Sequence, residues 1–421
     1  MASSDTKTAE ALVGEALTLG EGLSRPLRYV QLNSFYNGST GSIMRGLHAQ
    51  LSNSGVDSYC LWGRRHETID EHMACCASKP EVYLHGAMTR LRDRMGFYSK
   101  RDTERLLARL DEIDPDVVHL HNIHGYYVNI EMLFAWLAGH HCQVRWTLHD
   151  CWAFTGHCAH FTYVKCAQWM THCAYSEGCP QPDAYPRTIC KSNCARNFED
   201  KRRIFTSVPP ERLTLICPSQ WLAALVRKSF LKDYPIEVRH NTIDNSVFKP
   251  TPSDFRERHG IGDRFMILGV ASPWTERKGL GDFVRLAGEL DSDRYAIVLV
   301  GLSAKQIKSL PEEIIGLTRT DSPQELAGIY TTADVFFNPT VEDNYPTVNL
   351  EAEACGTPVI TYDTGGCRET MQLSGSACVA GFTQALHFFR SSEVEADDTP
   401  ILIYDVSGCA ETASDSRSMC I

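Results

Sequence analysis

The chain has 421 residues, 43% hydrophobic and 22% charged, a composition of soluble globular proteins and a length that implies two or three domains. A formal net charge of −11 argues against a dedicated nucleic-acid binder but allows a local basic groove for a phosphorylated small molecule. No window approaches the roughly 18 apolar residues that span a bilayer, and "MASSDTKTAEALVGEALTLGEGLSRP" lacks the charged and apolar regions of an export signal. A cytoplasmic protein is expected.

Residues 1–25 are polar with no apolar period and read as a flexible leader or a loose helix. Beyond Pro26, nearly continuous apolar runs recur at 28–33, 116–122, 144–150, 212–218, 266–272, 295–301, 334–340 and 358–363. Unbroken rather than alternating runs belong to strands buried on both faces, as in parallel sheets covered by helices. Between them lie segments of helical period such as "GSIMRGLHAQLSNSG", "SQWLAALVRKSFL" and "PQELAGIYTTA". The pattern predicts an α/β protein of two doubly wound halves facing a cleft, with a boundary at about residues 238 to 252. The first half is placed at 26–240, with a Cys-rich excursion at 151–194, and the second at 241–373. Residues 374–421 lose the strand-helix rhythm and are taken as an atypical tail. In such sheets ligands bind beyond the carboxyl ends of the strands, so the strand-end loops are the candidate sites.

Taken in chain order, the first of these loops is "NSFYNGSTGSIMRGL", where Gly38 and Gly41 allow close backbone approach by a ligand. In "HLHNIHG", His119, His121 and His124 are better explained by packing or by supporting bonds than by ligand contact. "WTLHDCWAFTGHC" sets His149 and Asp150 at a strand end, where an imidazole can bond to a sugar hydroxyl or a phosphate. "GVASPWTERKGLGDF" delivers Arg277 and Lys278 to another strand end, and cations there suit a diphosphate leaving group on which charge builds.

The most specific stretch is "VEDNYPTVNLEAEACGTPVITYDTGG". Pro346 and Thr347 suit the opening of a helix, whose unpaired amides can hold a phosphate. Glu351, one turn in, leans back toward that opening and can accept hydrogen bonds from ribose hydroxyls, while Asp343 on the loop can do the same for a sugar. A capping acid followed by a solvated helix glutamate explains the spacing equally well.

These residues resemble a known family. "EDNYPTVNLEAEACGTPVITYDTGG", "ERKG", "NTIDNSVFKP" and "TLHD" look like the retaining nucleotide-sugar glycosyltransferases of family 4, which have the GT-B fold of two Rossmann-like domains. The likeness covers roughly residues 27 to 370. "WTLHDCWAFTGHCAHF" and the Cys-rich run are similar to the bacterial members that build exopolysaccharide, colanic-acid-like or lipopolysaccharide chains. The resemblance implies transfer of a hexose from a UDP- or GDP-sugar to a glycan or lipid-linked acceptor, with retention, no metal and no cofactor. It implies catalytic roles for His149, Lys278 and Asp343. For the donor it implies a site of Gly38, Gly41, Arg277, Lys278, Asn344, Tyr345, Thr347, Val348, Asn349 and Glu351. The family's usual arginine, five residues before the lysine, falls here at Pro273. A lipid-linked acceptor would bring peripheral contact with the inner face of the membrane. Two other readings are a GT-B nucleotide-sugar epimerase, separable by incubating donor without acceptor, and an inactive sugar-nucleotide binding protein.

The seventeen cysteines are expected to be reduced in a chain with no export signal. Cys158, Cys166, Cys173 and Cys179 lack the CxxC-like pair of most zinc sites, and core thiols, a structural metal and disulfides all remain open for that run. The interleaved Trp152, Phe154, Phe161, Tyr163 and Trp169 suit either an acceptor-facing surface or packing over the thiols.

Overall fold

The computed structural model describes residues 6–181, 183–190 and 193–391. It holds two parallel sheets. The first is formed by β1 (Arg28–Phe35), β2 (Asp57–Arg64), β3 (Met73–Cys75), β4 (Val117–Leu120), β5 (Gln143–Thr147), β6 (Leu213–Cys217) and β7 (Ile236–Val238), in the order β3-β2-β1-β4-β5-β6-β7. The second is formed by β8 (Phe265–Val270), β9 (Tyr295–Val300), β10 (Ile314–Leu317), β11 (Val335–Asn338), β12 (Val359–Tyr362) and β13 (Ala377–Val379), in the order β10-β9-β8-β11-β12-β13. Every neighbouring pair is parallel, so each connection must cross over a sheet face, and helices cover both faces. That cover is why β9, "YAIVLV", is buried at every position and its sequence does not alternate.

In both sheets the strand order reverses once, between β1 and β4 in the first and between β8 and β11 in the second. At such a reversal the loops leaving the two central strands diverge and leave a crevice at the carboxyl ends. The loops after β1, β4, β8 and β11 carry Gly38, His121, Lys278 and Asp343.

Two expectations are changed by the structure. Of the two readings of residues 1–25, Thr6–Gly20 takes the helix and not the flexible leader. Val13 and Ala16 are buried on it, and its Glu15 pairs with Arg145 and, at 2.9 Å, with Arg239, which pins it beneath the first sheet. Nor does the second domain stop at residue 373. Ala377–Val379 pairs with β12, and the helix Phe382–Ser391 buries Phe382, Ala385 and Phe389 in the same core. Residues 392–421 of the expected tail lie outside the described residues.

Among the described residues the excursion after β5 contains four short 3-10 turns. Trp152, Phe154, Phe161 and Trp169 are buried in the first domain's core, so packing takes these rings; Tyr163 keeps 43% of its surface exposed. Lys201, from the helix Cys194–Phe205, reaches beneath the excursion. Its ammonium lies 3.5 Å from the Trp152 ring centroid and donates to the carbonyls of Trp152 and Thr155 at 2.8 and 3.0 Å. Burial pushes its pKa down to about 7. Burial also raises the pKa values of the Cys158 and Cys173 thiols, as expected of inert core cysteines. Among the described residues no group of three His, Cys, Asp or Glu side chains is placed to hold a metal ion.

Candidate active site

The helix Thr347–Ala354 starts at the carboxyl end of β11 with Pro346 as its cap residue. Proline has no side-chain acceptor, and the cap makes no side-chain bond to the first turn. The amides of Thr347 and Val348 are among the first-turn donors that no helical carbonyl can satisfy. They open into the cleft, where Thr347 Oγ1 lies 3.4 Å from Ser39 Oγ of the first domain.

Lys278 and Asp343 meet at this mouth in a direct ion pair, although 65 residues separate them. Burial alone would raise the Asp343 pKa, but the charges of Lys278 and Arg277 overcome it and hold the carboxylate below its usual range. Arg277 donates to the Glu342 carbonyl, and its own carbonyl accepts from Val341 N at 2.9 Å, so the two loops are tied by their backbones as well. The Thr-Gly-Gly turn after β12 presses on the same loop. Gly366 N donates to the Asp343 carbonyl at 3.0 Å, and a Cβ on Gly365 would lie 1.8 Å from that oxygen.

Glu351 sits one turn into the helix and accepts from Tyr330 Oη at 3.1 Å. The residue is partly exposed at the cleft, yet its carboxyl is set deep enough that burial pushes its pKa to about 7, against the bonds from Tyr330 and Thr347 that favour ionisation. On the facing side, His149 lies against this loop, its carbonyl accepting from Asn344 Nδ2 at 3.3 Å. Burial pushes the imidazole down to about 4 and keeps it neutral, while Asp150 opposes the shift only in part. The neighbouring Asp150 is bonded to His124 Nε2 at 2.9 Å.

The structure thus gathers Arg277, Lys278 and, through Asn344, His149 around the loop and helix that carry Asp343, Thr347, Val348 and Glu351. Three residues of the motif have side chains engaged elsewhere. Asn344 accepts from Ser219 Oγ at 2.7 Å and donates to the Leu148 carbonyl at 3.1 Å, which joins the two domains. Asn349 is sealed between Asn338 and Thr370 at 2.8 and 2.9 Å. The Tyr345 ring stacks on His240 at 4.6 Å between centroids. Of the two glycines, Gly38 takes φ 82° as the cap of the helix Ser39–Asn53. Gly41 is explained by packing, because a Cβ there would lie 2.1 Å from the Tyr36 carbonyl.

Sequence reasoning passed over Glu342. This carboxylate is fully buried and crosses to the excursion of the first domain. It accepts from the amides of Phe161, Thr162 and Tyr163 at 3.2, 2.6 and 3.2 Å and from Thr162 Oγ1 at 2.7 Å. No signal in its own neighbourhood marks it, since its partners lie about 180 residues away.

Residues 264–387 match the family model "Glycosyl transferases group 1". The chain is a glycosyltransferase. The enzyme is 24% identical over 374 residues to a protein of Escherichia coli (strain K12) named for colanic acid biosynthesis, the glycosyl transferase WcaC, covering 82% of this chain and 84% of that one. Among solved structures it is similar to the sucrose-phosphate synthase of Thermosynechococcus elongatus, with a TM-score of 0.61, 14% identity and coverage of 87% and 90%. It is also similar to Anabaena HepE in complex with UDP-glucose, with a TM-score of 0.56, 14% identity and the same coverage. With these neighbours the two-sheet architecture of the enzyme is GT-B.

Proposed function

We propose that the enzyme moves a hexose from a UDP- or GDP-sugar to a glycan or lipid-linked acceptor in polysaccharide biosynthesis, with retention at the anomeric carbon. The observation that carries this reading is the Lys278–Asp343 ion pair at the open mouth of the helix Thr347–Ala354. A lysine held among the described residues by a carboxylate, beside first-turn amides with no helical acceptor, is a ready site for a diphosphate, which takes the ammonium and frees Asp343 to accept from sugar hydroxyls. Glu351, lying deeper, serves the ribose. The WcaC likeness supports a role in polysaccharide synthesis, and HepE supports a UDP-sugar donor.

The bond between the anomeric carbon and the diphosphate oxygen breaks, and the acceptor oxygen bonds to that carbon on the same face. The acceptor's proton passes to the departing phosphate oxygen, whose charge Lys278 and the helix amides stabilise. Neutral His149 takes a hydrogen bond from the sugar on the side of the first domain. A lipid-linked acceptor would bring the enzyme to the inner face of the membrane; no helix of the described residues is long and apolar enough to cross one. The test is turnover of a panel of nucleotide sugars by wild type, Lys278→Ala and Glu351→Ala. A fall of about 10²–10³ in kcat for Lys278→Ala is expected; full activity in both variants rejects the assignment.

A further inference from the structure

A chain of hydrogen bonds starting on β1 dictates which nitrogen of His149 carries its proton. Gln31 is fully buried, and its Nε2 donates to the Met44 carbonyl at 3.1 Å. A backbone carbonyl has no hydrogen to give, so the amide cannot be turned round, and Oε1 is the atom facing His121 Nε2 at 3.1 Å. That oxygen only accepts, hence His121 is protonated on Nε2. The His121 ring is stacked between His119 and His149, at 4.4 and 5.3 Å between centroids, where burial and two more imidazoles oppose a second proton. Its Nδ1 is therefore a bare lone pair, and it lies 3.0 Å from His149 Nε2. His149 must carry its proton on Nε2. Its Nδ1 is left as an acceptor, with no hydrogen-bond partner among the described residues. His119 imposes nothing on this chain, because both of its nitrogens meet hydroxyls, Tyr29 Oη at 2.8 Å and Thr147 Oγ1 at 2.7 Å, and a hydroxyl suits either tautomer.

We infer that Gln31 and His121 are positioning residues that present His149 Nδ1 to the cleft as an acceptor, so that it receives a hydroxyl of the donor sugar and repels a phosphate oxygen. A phosphate oxygen would set lone pair against lone pair. A sugar hydroxyl brings the hydrogen that the site lacks. The inference rests on the nucleotide-sugar reading for the identity of the ligand, but not for the proton arrangement.

The two parts are tested separately. In histidine-¹⁵N-labelled wild type without donor, two-bond ¹H–¹⁵N correlations, with His149 assigned by its loss in His149→Asn, are expected to show hydrogen on Nε2 and a bare Nδ1. Hydrogen on Nδ1 would overturn the relay whatever the enzyme's substrate. In Gln31→Met, close in size but with no acceptor for His121, His149 is expected to become a mixture of tautomers. Donor KM should then rise in inverse proportion to the fraction that keeps the competent tautomer, about twofold for an even mixture, with kcat unchanged. A shifted tautomer with an unchanged KM overturns the hydroxyl contact. Failure of every nucleotide sugar to bind wild type sinks the donor reading and the contact together, and the spectrum still decides the relay.

Discussion

Removing the Glu342 carboxylate should loosen the joint between the two domains at one identifiable place. In Glu342→Ala the amides of Phe161, Thr162 and Tyr163 lose their acceptor, and Thr162 Oγ1 loses its partner as well. Hydrogen bonds to a charged group contribute about 1.5–3 kcal/mol each, and burial would leave the orphaned donors poorly hydrated until the excursion lifts away. The Thr162 amide, at 2.6 Å, is the best placed, so its protection should fall by about 2 kcal/mol, a factor of about 30 in exchange rate. Amide hydrogen exchange read by mass spectrometry on peptides spanning 160–164 measures this directly. Peptides from β8 and β9, remote from the joint, serve as the internal reference. Exchange at Thr162 within twofold of wild type would refute the claim that this acid holds the excursion.

Two further predictions concern pH. The Glu351 carboxyl titrates at its ordinary value of 4.5 in the unfolded chain and at about 7 in the fold. Between those values the folded state holds the extra proton, so stability falls as pH rises, and by pH 8 the cost is at most about 3 kcal/mol. Glu351→Gln should therefore be more stable than wild type at pH 8 and lose that advantage by pH 4.5, as read by urea midpoints. Lys201 works in the opposite sense. Its pKa is lowered from 10.5 to about 7, so the unfolded state binds the extra proton in that range, and wild-type stability gains a contribution as pH rises from 7 toward 10. The difference between wild type and Lys201→Met should grow by a few kcal/mol across the same interval; a flat difference would show that the ammonium is not desolvated.

The eight apolar runs visible in the sequence all fall on strands, because a parallel strand covered on both faces writes its burial into consecutive residues. The strands that escaped notice carry shorter or interrupted runs. β2, "DSYCLWGR", is flanked by polar residues and only partly buried at its start, while β3 and β7 are three-residue edges with every position half-exposed. In the candidate site, the proposed Lys278, Asp343, Glu351 and His149 stand out in the sequence because a charge or an imidazole at a strand end is visible without a structure. Asn344, Tyr345 and Asn349 sit in the same motif, but their side chains are used to join domains and fill the core. A linear motif does not distinguish the two uses, since the distinguishing partners, Ser219, His240 and Thr370, are distant in the chain.

Glu342 and Asp343 are consecutive residues, one gripping the first domain and the other gripping the lysine of the second. A single peptide unit therefore couples the seat of the excursion to the seat of the cation, so that a displacement at Thr162 is felt at Lys278.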